Sequence, residues 1–573
     1  MSANFSVEIP DVPGKITRKK QGSVNYVMYE LDRTYFPEKK YTKVKRTMIG
    51  RLCPDNEDRM LPNNNYFQYF SPSTVPEDLE ATKRSCCLKA GPYLVIKKVI
   101  EHYGLKEKLE HHFGTDTGLL LDLASYFIVE EDNAGQYYPD YAFNHPLFTE
   151  EMKVLSDSTV SRFFQEVSTD QIVGFLDDWN AVQDHRQRIY LSYDATNKNC
   201  NAGDIDILEY GKAKDDKGLP IFNFAVAFDK TNKVPLFYEQ YPGSITDTSQ
   251  FKYFVDKVKD YGYSRIGFIL DRGYFSRSNL QYLEQNHYQF LIMVKGCKKL
   301  VSSLVLNHLG SFETNVACLS SRFGIYGTTI EHKLFDEDKK NKYFHLYYSA
   351  SKAAAERAQI ETEMKRIEDS LQKGIGFEFE PSALIESYAK VLLDKDGVLH
   401  GYSLKTEAIS EKLKLCGYFC LISSEKMTSE EALDLYKGRD VSEKLFRADK
   451  TFIGGKSMRV RSVESLSAKI FVEFIALIIR NRMYNLLKEQ MKKLPQIKNQ
   501  LTVPAAIKQL EKIEMIRRAS QGYKLDHAIT KTQKIILQCF GISPEEAIQN
   551  TKQISKALQQ GQDLQQGEQD DEI

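Results

Sequence analysis

The sequence predicts an α/β fold, a mixed sheet flanked by helices, and three observations predict it. The run Arg188-Ile-Tyr-Leu-Ser-Tyr-Asp194 alternates like a strand and delivers a carboxylate at its end. Ile266-Gly-Phe-Ile-Leu-Asp271 repeats the pattern. Late in the chain, Tyr436, Arg439, Glu443 and Lys450 fall at helical spacing, within an arc of about 60° on one face.

Taken in order, the chain opens with a short leader. Val24–Leu31 and Tyr41–Ile49 then alternate at period two around Phe36-Pro-Glu-Lys-Lys, which predicts a basic β-hairpin region over 1–75. Residues 76–185 read as helical, a candidate DNA-binding domain, with Ser156-Asp-Ser-Thr as a capped helix start. Residues 186–296 form the first part of the core. There the Asp194 strand is followed by strand patterns at Phe222–Phe228 and Val234–Tyr238, and Asp247 is placed to cap the next helix. The Asp271 strand, a helix from Ser276 and a strand at Tyr288–Val294 complete this part. Between Asp271 and Glu443 lie 171 residues, so a large β-rich insertion domain is assigned to 297–414 and the second part of the core to 415–500. A helical region follows at 501–557, and a Gln-rich acidic tail at 558–573 is expected to be disordered.

Two strands that each deliver an Asp, followed by a Glu on a late helix, describe the active site of an RNase H-like nucleic-acid-processing core. Metal ions held between three carboxylates activate a water or hydroxyl and stabilise the leaving oxygen of a phosphodiester. Arg and Lys grip phosphate oxygens, and Tyr donates a hydrogen bond.

These residues carry a family resemblance. The chain resembles a DDE transposase of the insertion-sequence-four superfamily, whose late helix bears the spacing met here by Tyr436, Arg439, Glu443 and Lys450. Tyr241-Pro-Gly-Ser-Ile-Thr-Asp247, Asp271-Arg-Gly-Tyr-Phe and Cys416-Gly-Tyr-Phe-Cys-Leu-Ile extend the likeness. Its long N-terminal region and large insertion are most similar to the insertion sequence 1634 family, although Ala468-Lys469-Ile470 stands where such proteins often place a His.

The resemblance implies that Asp194, Asp271 and Glu443 are catalytic and hold two Mg²⁺ or Mn²⁺ ions. Tyr436, Arg439 and Lys450 would contact DNA, with Arg272 and Tyr274 touching the cut strand. It further implies strand cleavage at terminal inverted repeats, a hairpin intermediate, strand transfer to target DNA and a homodimer on the DNA. The setting would be cytoplasmic, on the nucleoid of a prokaryote. Two rival readings stand beside it: a catalytically silent or domesticated DNA-binding derivative, against which the intact carboxylates argue, and a stand-alone RNase H-like nuclease.

Composition bounds these readings. The chain has 573 residues, with 78 basic and 78 acidic side chains, too many for one core and too balanced for a uniformly basic coat. Local charge differs: Lys15–Arg51 carries eleven basic and three acidic residues, and Lys437–Arg461 eight and three. These are the candidate DNA footprints. Nine Cys without a C-x-x-C pair argue against a disulfide scaffold or structural zinc. The apolar run Phe471–Ile479, interrupted by Glu473, is too short to span a bilayer, and no secretory signal is read. Neither a membrane partner nor a small-molecule substrate is expected. Gly454-Gly-Lys-Ser lacks the spacing of a nucleotide-binding loop.

Overall fold

The chain folds as two units, 1–83 and 84–573. A computed structural model describes residues 6–21, 24–37, 40–53, 56–70, 84–202, 205–211, 213–294, 298–373, 382–393, 399–494, 499, 501–518 and 522–570. Of 64, 298, 382, 440–443, 518 and 561–570 it describes the backbone alone.

In the first unit, β1 (Val7–Glu8), β2 (Ile16–Gln21), β3 (Val24–Phe36), β4 (Tyr41–Cys53) and β5 (Asn56–Pro62) form one antiparallel sheet, followed by α1 (Asn64–Phe70). The order is β1-β5-β4-β3-β2, so the expected hairpin is β3–β4 at the heart of a larger sheet. The tip at Glu38 and Lys39 lies outside the described residues. Val27, Ile49 and Met60 are fully buried on one face. Lys19, Lys20, Lys43 and Lys45 stay exposed, which keeps the predicted cationic surface available.

The second unit starts with β6 (Cys87–Lys89) and the helices α2 (Gly91–Tyr103), α3 (Leu105–Phe113), α4 (Thr117–Val129), α5 (Tyr138–Asn144), α6 (Asp157–Glu166) and α7 (Thr169–Ala181). The Ser156 hydroxyl accepts the Thr159 N–H and caps α6 as its sequence predicts. The sheet follows with β7 (Ile189–Cys200), β8 (Ile221–Asp229), β9 (Val234–Pro242), α8 (Asp247–Asp260), β10 (Ile266–Leu270), α9 (Arg277–Gln285) and β11 (Gln289–Met293). Thr246, rather than Asp247, caps α8 by accepting the Ser249 N–H. Asp247 sits in the first turn and accepts the Tyr241 hydroxyl at 2.7 Å.

The interval assigned to an insertion contains α10 (Lys298–Asn307), β12 (Leu319–Ser320), β13 (Ile325–His332), β14 (Lys342–Tyr348), α11 (Ala350–Lys373), α12 (Ser382–Tyr388), β15 (Ala389–Leu393), β16 (Leu399–Leu404) and α13 (Thr406–Lys414). It divides in two. Strands β12–β14 join the main sheet through β17 (Tyr418–Ser423), whereas α11–α13 and the β15–β16 hairpin enclose a small core around Ile367, Leu371 and Tyr388. The main sheet therefore runs β12-β13-β14-β17-β11-β10-β7-β8-β9. Pairing is parallel at β7–β10–β11 and antiparallel elsewhere along that path.

The remaining elements are α14 (Ser429–Lys437), α15 (Asp440–Phe452), β18 (Ser457–Met458), α16 (Val463–Lys493), α17 (Val503–Leu510), β19 (Glu514–Arg518), β20 (Gly522–Leu525), α18 (Lys531–Cys539) and α19 (Pro544–Asp570). A short β18 pairs with the far end of β7. Helix α16 packs on α2, α4, α6, α7, α15, α17, α18 and β9. A helix enclosed on all sides must be apolar all round, which explains Phe471–Ile479. Among the described residues no helix is long and apolar enough to cross a membrane. The region expected to be wholly helical also holds the β19–β20 hairpin, whose first strand pairs with β6. The stretch expected to be disordered continues α19 to Asp570, and 571–573 lie outside the described residues.

Candidate active site

Strand β7 carries Asp194 and runs on to Cys200, because the residues beyond Asp194 still pair with β8. On its other side β10 lies parallel, with Ile266 opposite Ile189 and Ile269 opposite Ser192. Continuing that register places Asp271, the first residue past β10, beside Asp194. A backbone N–H fixes each carboxylate: Ala195 donates to Asp194 Oδ1 at 3.0 Å, and Arg272 donates to Asp271 Oδ1 at 2.7 Å.

The third element is α14, which packs on β11, β13 and β14. Tyr436, near the end of α14, donates its hydroxyl to Asp271 Oδ1 at 3.3 Å. Arg439 lies between the two carboxylates, with Nη1 3.8 Å from Asp194 Oδ2 and Nη2 3.8 Å from Asp271 Oδ1. Its guanidinium also stands 5.5 Å from the Tyr436 ring centroid. Glu443 follows on α15, and its side chain lies outside the described residues.

The single helix expected through these residues is two. Lys230, from the β8–β9 turn, donates to the Asp434 and Leu435 carbonyls at 3.0 and 3.2 Å and so caps α14. The chain tightens at that point, with Arg439 N–H donating to the Tyr436 carbonyl at 3.0 Å. Gly438 makes room for this: a Cβ there would stand 2.0 Å from the Lys230 side chain.

Lys450 lies nearly two helix turns beyond Glu443 on α15, its ammonium 2.5 Å from Asp215 Oδ2, and burial lowers its pKa. Arg272 is exposed beside Asp271. Tyr274 is 2% exposed, its ring packed against Tyr193 and Phe251, which leaves it little surface for a DNA strand. Its buried hydroxyl has no hydrogen-bond partner among the described residues.

Two features escape a sequence reading. Lys214, in the loop after β7, donates to the Ala195 carbonyl at 3.0 Å and adds positive charge near Asp194. Lys198, on β7, is fully buried and donates to Asp449 at 2.9 Å and Glu473 at 2.6 Å, tying β7 to α15 and α16. The one legible signal for this cluster is Glu473 interrupting an apolar run.

Burial pushes the Asp194 carboxyl up to about 6, Arg439 and Lys214 opposing and Asp271 adding to the rise. A raised carboxyl favours folding in its protonated form. Its contribution is fully present below the unfolded value near pH 4 and is lost as pH rises through about 6. Asp194→Asn is therefore expected to stabilise the metal-free protein by about 1–3 kcal/mol at pH 7.5. Thermal midpoints measured from pH 4 to 8 should show that gain shrinking toward zero at the acid end.

Residues 194–479, starting at Asp194 and spanning Asp271 and Glu443, match the family model described as the transposase DDE domain. That match supports a DDE transposase. No curated protein matches the chain. Among solved structures, the cryo-EM synaptic complex of piggyBac transposase with hairpin DNA is similar at 9% identity and a TM-score of 0.30, over 76% of this chain and 78% of that one. The Mos1 transposase paired-end complex with the left transposon end is similar at 13% identity and a TM-score of 0.14, over 29% of this chain and 57% of that one. Both superpositions are too loose to place any residue of the transposase domain, and the site rests on the geometry above.

Proposed function

We propose that the chain is a metal-dependent DNA transposase of the insertion-sequence-four superfamily, most like the insertion sequence 1634 family, that excises and reinserts an element by cut and paste. The observation that carries this is the placement of Asp194 and Asp271 side by side, with Arg439 3.8 Å from each. The strand order supports an RNase H-like core: antiparallel β9-β8-β7 continue into parallel β10 and β11.

The donor set fits a hard divalent cation, since both carboxylates present oxygen and are oriented by backbone N–H groups. Asp194, Asp271 and Glu443 would hold Mg²⁺ or Mn²⁺, two ions in all. Bound there, they would supply a lowered pKa for the attacking water or hydroxyl and charge stabilisation for the leaving oxygen. The protein's own groups do the positioning. Arg439 offsets the repulsion between the two carboxylates and is placed to grip a phosphate near the cut. Tyr436 orients Asp271 and reaches the same backbone. Lys214 adds cationic charge along the path of the strand, Lys450 would join it by exchanging Asp215 for a phosphate, and Arg272 contacts the strand from the exposed side.

In this reading the protein, a homodimer on DNA in the prokaryotic cytoplasm, nicks each transposon end. The freed 3′-hydroxyl then attacks the opposite strand, giving a hairpin and releasing the flanking DNA; a second water opens the hairpin and restores the 3′-hydroxyl, which attacks the target DNA. Duplexes carrying the DNA that flanks the gene, incubated with the protein and Mg²⁺, should be cut at the element boundary, whereas scrambled duplexes should survive. Equal cutting of both would leave a stand-alone nuclease, and binding without cutting would leave a silent derivative.

A further inference from the structure

Away from the sheet carboxylates, three helices of the second unit end against one another. Glu130 is the C-cap of α4, His145 that of α5 and Glu511 that of α17. Helix C-termini carry partial negative charge and favour a cation. One ring nitrogen of His145 and one carboxylate oxygen from each Glu lie within 4.8 Å of one another.

His145 supplies the independent observation. It is 1% exposed, its ring stacks on Tyr141 at 4.2 Å, and Nδ1 lies 2.8 Å from the Tyr141 carbonyl. A carbonyl only accepts, so Nδ1 carries the proton and Nε2 the lone pair. That Nε2 is buried and has no hydrogen-bond partner among the described residues. An imidazole fixed by an Nδ1–H to carbonyl bond, with its other nitrogen unused, is how proteins orient a metal-ligating histidine. One cation already competes here: the Lys89 ammonium, 2.7 Å from Glu511 Oε1.

The geometry points to a second metal site, in which His145 Nε2, Glu130 and Glu511 bind a zinc-class divalent ion and join the helical layer to the C-terminal region. One imidazole and two carboxylates suit zinc better than magnesium, because nitrogen is a poor ligand for the harder ion. They also balance the ion's charge. Ligand bonds of about 2.0–2.2 Å require the three atoms to draw together, which exposed Glu130 permits. The site is independent of the transposase reading.

The test uses the full chain, stripped with a chelator and held in excess Mg²⁺ so that hard-cation sites are filled, then titrated with Zn²⁺ by calorimetry and followed by thermal midpoint. One Zn²⁺ should bind per chain and raise the midpoint. Glu511→Gln and His145→Gln should each weaken binding at least about tenfold. Lys89→Met, which removes the competing cation, should tighten it several-fold, and this opposite sign keeps the test decisive if His145→Gln fails to fold. Asp271→Asn should leave Zn²⁺ binding unchanged. The inference is overturned by the absence of stoichiometric binding, by its loss in Asp271→Asn, or by its dependence on the separate His111, His112 and Asp178 group. It is equally overturned if Lys89→Met has no effect while Glu511→Gln binds normally.

Discussion

Asp194→Asn and Asp271→Asn are each expected to lower strand cleavage by at least about 10³-fold while leaving binding to the flanking DNA within a few-fold of wild type. The two carboxylates stand side by side because β7 and β10 are parallel neighbours in register, and each is held through Oδ1 by a backbone N–H. An amide keeps the shape but loses the charge that holds a hard cation. Removing a charge between carboxylates flanking Arg439 does not weaken attraction for DNA, whose phosphates they repel. Cleavage and gel-shift assays on the same duplex read the two effects separately. Cleavage retained in either variant removes that residue from the site, and binding lost in parallel with cleavage points to misfolding instead.

Lys198→Met should produce the largest loss of stability. Its ammonium is fully buried, bonded to Asp449 and Glu473 and 4.5 Å from the Phe224 ring centroid. Burial works against its charge, but the two carboxylates hold its pKa above the ordinary value. Glu473 is also fixed by the Asn133 amide at 2.9 Å. Without Lys198 two carboxylates remain in an apolar interior, a change that costs about 3–5 kcal/mol. The urea midpoint should fall accordingly. Cleavage should fall too, since Asp449 precedes Lys450 on α15 and Lys198 shares β7 with Asp194. Adding Glu473→Gln to Lys198→Met should recover part of the loss. An unchanged midpoint in Lys198→Met would show that the cluster does not hold α15 to the sheet.

The strands that carry Asp194 and Asp271 were legible because their signal is local: alternating apolar residues ending on a carboxylate need no partner to be recognised. The Ser156 cap was legible for the same reason. Pairing is not local, so nothing in Tyr343–Tyr348 reveals that β14 lies against β17 and widens the main sheet. Glu514–Arg518 reads as helical by composition, yet β6 and β20 on either side draw it into a strand. The break between α14 and α15 depends on Lys230, about two hundred residues away in sequence, reaching two carbonyls. Arg439 was legible as a cation on the right face, but its place between two carboxylates was not, because a helical wheel carries no information about the sheet it meets.

The most direct measurement is excision from a plasmid carrying the gene in its native flanking DNA, comparing wild type with Glu443→Gln. Excision by the wild type alone is the predicted result, and it would make Glu443 the third carboxylate of a working transposase. Excision at wild-type frequency by Glu443→Gln would contradict the account.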